Sequence, residues 1–218
     1  ILLMVPKRLV LVKGILSLIT VIASGCFSVI LFDSTEQFIK LGDLVHNDSL
    51  RISGINLFPD AFSSCIFHLD GLGKLINLFI GLFGLLISCY SLVYNRNNHK
   101  DFYAYFLITL GASNGAVLSD NLFVFIILWG LLGITLYKLI PGVNEDSSAA
   151  AKKTLIMIGA SDGIMILGIV IVWKITGMLT MSDIKLNTDN ALIVFAFLTL
   201  IIGCFTKAGA FPFHSWIP

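Results

Sequence analysis

Long apolar stretches separated by short polar ones make up most of the chain. Gly14–Phe32, Leu75–Asn95, Phe102–Ser119 and Asn121–Tyr137 contain no charged residue. Thr154–Trp173 contains one, Asp162, and Asn190–Pro218 contains one, Lys207. A bilayer core of about 30 Å is crossed by roughly 20 helical residues. Backbone polar groups cannot stay unpaired in lipid, so such runs are helices rather than open strands. The pattern predicts six spans, at Val10–Phe32, Leu72–Tyr94, Phe102–Leu118, Asn121–Ile140, Thr154–Ile175 and Asn190–Ala210. The fold class expected is all-α, a polytopic transmembrane helix bundle, with 1–218 forming a single membrane domain.

Between the first two spans lies a polar connection, Asp33–Leu69, broken by Gly42, Gly54 and Pro59. Its stretch Arg51–Phe58 reads as a short strand. Asp120-Asn121 reads as the cap of the fourth span. Ile1–Val5 is an apolar stub before Pro6-Lys7-Arg8, with no leading Met and no cleavage site, so the chain reads as a fragment rather than as one opening on a signal peptide.

Composition agrees with the pattern. Apolar residues are 57% of the chain and charged ones 12%, about half the share usual in soluble domains. The net charge of +1 implies no polyanionic partner, which sets nucleic-acid binding aside. Cys26, Cys65, Cys89 and Cys204 are far apart, with no CxxC and no Cys/His cluster. They read as small packing residues, and no metal or other cofactor is expected in this chain. Basic residues set the orientation. A cytoplasmic first loop collects Lys7, Arg8, Lys13, Arg96, Lys100, Lys138, Lys152 and Lys153 on its side, against Lys40, Arg51, Lys74, Lys174 and Lys185 on the other. The connection 33–69 is then extracytoplasmic.

A charge at the bilayer centre costs about 2.5–3.5 kcal/mol on insertion scales and tends to be kept for function. Lys207 and Asp162 qualify, and facing one another across a helix pair they would share a proton or a water chain. The alternatives are a helix-end aspartate at the interface and a snorkelling lysine. Gly203, Gly209 and Pro212 lie near Lys207 as breakers that would interrupt the helix, a device found at ion paths. His214 reads either as a proton relay or as an interfacial histidine beside Trp216.

The segment Thr206-Lys207-Ala208-Gly209-Ala210-Phe211-Pro212-Phe213-His214-Ser215-Trp216-Ile217-Pro218 resembles the lysine, helix break and PFHSW signature of the antiporter-like subunits. That family serves respiratory complex I, Mrp sodium/proton antiporters, membrane-bound hydrogenases and formate hydrogenlyases. Phe67-His68-Leu69-Asp70-Gly71-Leu72, Asp120-Asn121-Leu122-Phe123 with Leu128-Trp129, and Ala149-Ala150-Ala151-Lys152-Lys153 with Ser161-Asp162-Gly163 resemble further family stretches in the same order. The resemblance is nearest to the NADH dehydrogenase subunit 5 branch.

It implies a larger fold of about fourteen helices in two inverted repeats, each with a broken helix. It also implies a proton-channel role for Lys207 with Asp162 as its family aspartate. One position departs from the family pattern. The glutamate that follows the tryptophan is Gly130 here, and Asn121–Tyr137 holds no acidic residue. Either Asp162 serves as the partner of Lys207, or this half-channel is degraded.

The resemblance therefore implies a proton- or sodium-translocating membrane subunit of a complex I-like or hydrogenase-like redox complex. Iron–sulfur, flavin or nickel–iron centres would sit in partner subunits, both membrane-bound and soluble. The alternatives are a structural subunit with a degenerate ion path, or a subunit of an Mrp-type antiporter or a bicarbonate-uptake complex. A bacterial plasma membrane is favoured over a mitochondrial inner membrane.

Overall fold

The computed structural model describes residues 10–33, 37–40, 66–94, 101–140, 145–186 and 190–217. Among the described residues six helices carry the fold: α1 (Val10–Phe32), α2 (Gly71–Tyr94), α3 (Phe102–Leu118), α4 (Leu122–Leu139), α5 (Glu145–Thr176) and α6 (Ala191–Ala208). All but α3 are long and apolar enough to cross a membrane, and α3 is a shorter apolar helix of 17 residues. The chain is an integral membrane protein of the all-α class. It divides into two compact units, Ile1–Phe125 and Ile126–Pro218.

In the first unit α1 and α2 pack along their length, with α3 against both. Gly81 explains the closeness of the first pair, because a Cβ there would stand 3.3 Å from the Gly25 Cα. Small residues at such crossings let helix backbones approach, which replaces the hydrophobic drive that lipid removes. Polar side chains bind the three helices together. Asn77 Nδ2 donates to Ser28 Oγ at 3.1 Å, Asn114 Nδ2 to Ser24 Oγ at 3.4 Å, and the Tyr103 hydroxyl to the Ser91 carbonyl at 3.1 Å.

The connection after α1 holds two short strands that the hydrophobic pattern did not reveal. β1 (Gln37–Lys40) and β2 (Ile66–Leu69) pair antiparallel, with Gln37 opposite Leu69 and Lys40 opposite Ile66. Each is four residues long, too short for a period-two signal to stand out. The strand expected at Arg51–Phe58 lies outside the described residues. Phe67 of β2 also bridges to Ser119, which ties the start of α2 to the end of α3. Asp70 then caps α2, its Oδ1 accepting from the Gly73 amide at 2.7 Å. Asn121 caps α4, accepting from the Phe123 and Val124 amides at 2.9 and 3.3 Å.

The second unit is built on α5 and α6. At 32 residues α5 is about 48 Å long, more than a bilayer core requires. It starts nine residues before the apolar run because Ala149–Ala151 are strong helix formers and Lys152 and Lys153 are exposed. Its buried face repeats every three or four residues through Ala151, Thr154, Ile158, Ser161, Met165, Ile169 and Val172. That of α6 runs through Ile193, Ala196, Thr199, Gly203 and Thr206. The two faces meet at small residues, with Gly168 under Thr199 and Gly203 under Met165.

Gly203 was expected among the helix breakers. It is instead helical and buried, and it serves as the seat of the Met165 side chain. An added Cβ there would lie 2.8 Å from the Met165 Cβ. Gly203→Leu in the full-length protein should therefore cost about 1–3 kcal/mol through overpacking. The readout is a lowered melting temperature in detergent. Gly159→Ala, where a new Cβ meets nothing within 4 Å, should leave that temperature unchanged or raise it, since alanine is the better helix former.

Candidate functional site

α6 ends where its sequence requires. Gly209 takes the left-handed conformation at φ 66°, open to glycine at little cost, and the Ala210 amide reaches back to the Phe205 carbonyl at 2.9 Å. The chain then turns through a cis Phe211-Pro212 bond into a short 3₁₀ turn, Phe213–Trp216. Trp216 folds this segment back. Its Nε1 donates to the Thr206 carbonyl at 2.7 Å, and its own carbonyl accepts from Thr154 Oγ1 at 3.2 Å. Gly209 and Pro212 thus lie at the helix end as expected, and Lys207 sits in the last turn before it.

Lys207 points at α5 and α4. Its Nζ is 3.7 Å from Asp162 Oδ2, and it also donates to the Trp129 backbone carbonyl. The same Nζ lies 4.3 Å from the centroid of the Trp129 ring. Asp162 Oδ1 in turn accepts from the Trp129 Nε1 at 2.9 Å. Three residues from three helices close one cluster, in which the Trp129 indole N–H holds the carboxylate while its ring face and the Trp129 backbone carbonyl hold the ammonium. Gly133, one turn along α4, makes room. A Cβ there would stand 3.5 Å from Asp162 Oδ2 and 4.0 Å from Lys207 Nζ.

Lys207 and Asp162 keep side-chain exposures of 12% and 14%, so neither is sealed from the surroundings. At 3.7 Å the pair is longer than the 2.7–2.9 Å of a direct charge-assisted bond. An ammonium has three donors, and one is committed to the Trp129 carbonyl. The cluster therefore holds a cation and an anion beside each other with hydrogen-bonding capacity left over, as a proton-exchanging pair needs.

The remaining expected residue, His214, is placed elsewhere. It is exposed in the 3₁₀ turn, its ring stacked on Phe211 at 5.8 Å between centroids, and it takes no part in the Lys207–Asp162 contacts. Trp129 was the member that pattern reasoning passed over. Its signal was its place in the Leu128-Trp129 stretch, directly before the glycine that replaces the family's glutamate. At Gly130 itself a Cβ would meet nothing within 4 Å.

Residues 119–218 match the family model described as NADH:quinone oxidoreductase/Mrp antiporter, transmembrane. The chain is 30% identical over 190 residues to the Na(+)/H(+) antiporter subunit A1 of Staphylococcus haemolyticus, an alignment covering 83% of this chain and 24% of that protein. It is 31% identical over 173 residues to the subunit A1 of Staphylococcus aureus, covering 75% of this chain and 22% of that one. The chain thus spans under a quarter of the length of these relatives. Its fold is that of a chain in an archaeal membrane-bound sulfane sulfur reductase complex, with a TM-score of 0.77 at 17% identity over 93% of this chain and 41% of that one. It is also that of a chain in the Mrp complex from Dietzia sp. DQ12-45-1b, with a TM-score of 0.74 at 16% identity over 97% of this chain and 38% of the other.

Breaking a buried ion pair by removing one partner leaves the other charge uncompensated. Asp162→Ala should lower stability, by less than the about 3–5 kcal/mol of a fully buried pair because both side chains keep some exposure. The double variant Asp162→Ala, Lys207→Met should recover most of the loss. Thermal unfolding of the purified full-length variants checks this, and equal losses in the single and double variants would contradict it.

Proposed function

We propose, for a chain that belongs to the antiporter-like membrane subunit family through residues 119–218, that the full-length protein translocates protons or sodium ions across its membrane. The observation that carries the reading is the Lys207–Asp162–Trp129 cluster at the end of α6. Lys207 is the protonatable site and Asp162 its counter-charge. Trp129 orients both, and the turn at Gly209 and Pro212 opens the end of the path. His214, exposed on that turn, relays protons between the path and the interface.

The protein works among other membrane subunits, and its first loop faces the cytoplasm of a bacterial cell. This chain carries no cofactor of its own. In a complex I-like or hydrogenase-like assembly, iron–sulfur, flavin or nickel–iron centres of soluble partners would drive the ion movement. A second reading, an Mrp-type antiporter subunit, is favoured by one observation: the relatives at 30–31% identity are Na(+)/H(+) antiporter subunits. Mild-detergent purification of the tagged full-length protein separates the two. Soluble subunits bearing such centres support redox drive, and membrane subunits alone support antiport.

Lys207→Ala should abolish ion movement by the full-length protein in inverted vesicles while its assembly with partner subunits persists. Flux at the parental rate in an assembled variant would refute the assignment. Gly130 carries a further test, since the space beside it admits a side chain. With Asp162 already partnering Lys207, Gly130→Glu should leave the flux unchanged. A clear gain would show instead that the native path is degraded.

A further inference from the structure

The first unit holds buried polar atoms that the Lys207 site does not use. Ser17 and Ser88 are fully buried and Asn77 is 4% exposed. Among the described residues, Ser17 Oγ, Ser88 Oγ, Asn77 Oδ1 and Asn114 Oδ1 have no hydrogen-bond partner. Such orphans are rare in native proteins, and they are costly where lipid can supply no bond.

They are not scattered. Gly14 meets Leu92, Val21 meets Gly84, Gly25 meets Gly81, and Asn77 bonds Ser28. This antiparallel pairing of α1 with α2, carried along its length, sets Ser17 opposite Ser88. Four residues further along α1 the crossing is apolar, with Val21 and Leu110 both lying over Gly84 at 3.5 and 2.9 Å from an added Cβ. Beyond it the lining turns polar again at Ser24, Ser28, Asn77 and Asn114. A cavity of about 130 Å³ opens against that apolar level, with Val21 and Leu110 in its wall and Thr20, Ser24 and Asn114 as its polar lining. Roughly 10–15 Å³ is enough to admit one water.

We propose that the α1–α2–α3 bundle binds internal water at two levels, one between Ser17 and Ser88 and one around Asn77, Asn114 and Ser24, kept apart by Val21 and Leu110. Polar side chains that merely glued helices together would be paired with one another. Here the paired atoms are Asn77 Nδ2 and Asn114 Nδ2, while the amide oxygens of the same side chains are left over. A bound water has the donors these oxygens lack and the acceptors that the serine hydroxyls lack. The dry level at Val21 makes the two hydrated levels separate sites rather than one wire.

The test is a map of the full-length protein in its membrane assembly, resolved finely enough to show water. Density within hydrogen-bond distance of Ser17 Oγ and Ser88 Oγ, and of Asn77 Oδ1 and Asn114 Oδ1, is expected. In the Ser17→Ala, Ser88→Ala variant the first density should vanish and the second remain. Serine hydroxyls turned onto carbonyls of their own helices with no density between them would overturn the first site. An elongated acyl-chain density beside Asn114 would overturn the second.

Discussion

An ammonium group set among apolar helices must be met by a counter-charge and by acceptors, and the second unit is arranged around that need. Lys207 receives a carboxylate from α5 and a carbonyl and ring face from α4. A buried pair is strongly destabilised when one partner is lost, so the three helices cannot drift apart without exposing a charge to lipid. The Asp162–Trp129 bond adds direction to this constraint, because an indole N–H has one donor and one line along which to give it. The helix end is subject to the same constraint. Trp216 returns to the Thr206 carbonyl, one residue before the lysine, and holds the last turn of α6 while the chain beyond it reverses.

The register that brings the pair together is set by residues with no charge at all. α5 and α6 run antiparallel, with Gly168 against Thr199 and Met165 against Gly203. One turn further, the same register places Asp162 opposite Lys207. The packing of small residues therefore fixes where the charges meet, and the charges fix what the packing is for. Lipid gives no hydrophobic drive to join helices, so close van der Waals contact and polar bonds must carry the association. Met165, a flexible side chain, fills the space that Gly203 leaves.

Much of this was legible in the sequence, for physical reasons that differ from residue to residue. A long apolar run has one structural solution in lipid, so the helices followed from length alone. Lys207 and Asp162 were legible because charge in such a run is expensive. Gly209 was legible as a terminator, yet Gly203 was not separable from it, since glycine serves both helix ends and tight crossings and composition does not distinguish the two uses. The strands at Gln37–Lys40 and Ile66–Leu69 were hidden by their brevity and by the long separation between partners. Trp129 was hidden by its chemistry, because an apolar aromatic in an apolar helix reads as lining until its N–H is seen to have a partner.

The glycine at position 130 takes its meaning from this geometry. The family resemblance leads one to look for a carboxylate there, and the cluster as it stands is already closed: one positive group, one negative group, and a neutral indole bridging them. With Asp162 held by Trp129 and facing Lys207, the counter-charge is supplied by α5. The lysine has a partner without Gly130, where an added Cβ would meet nothing within 4 Å. What the membrane demands of a charged lysine is acceptors, and here α4 supplies a carbonyl and α5 a carboxylate.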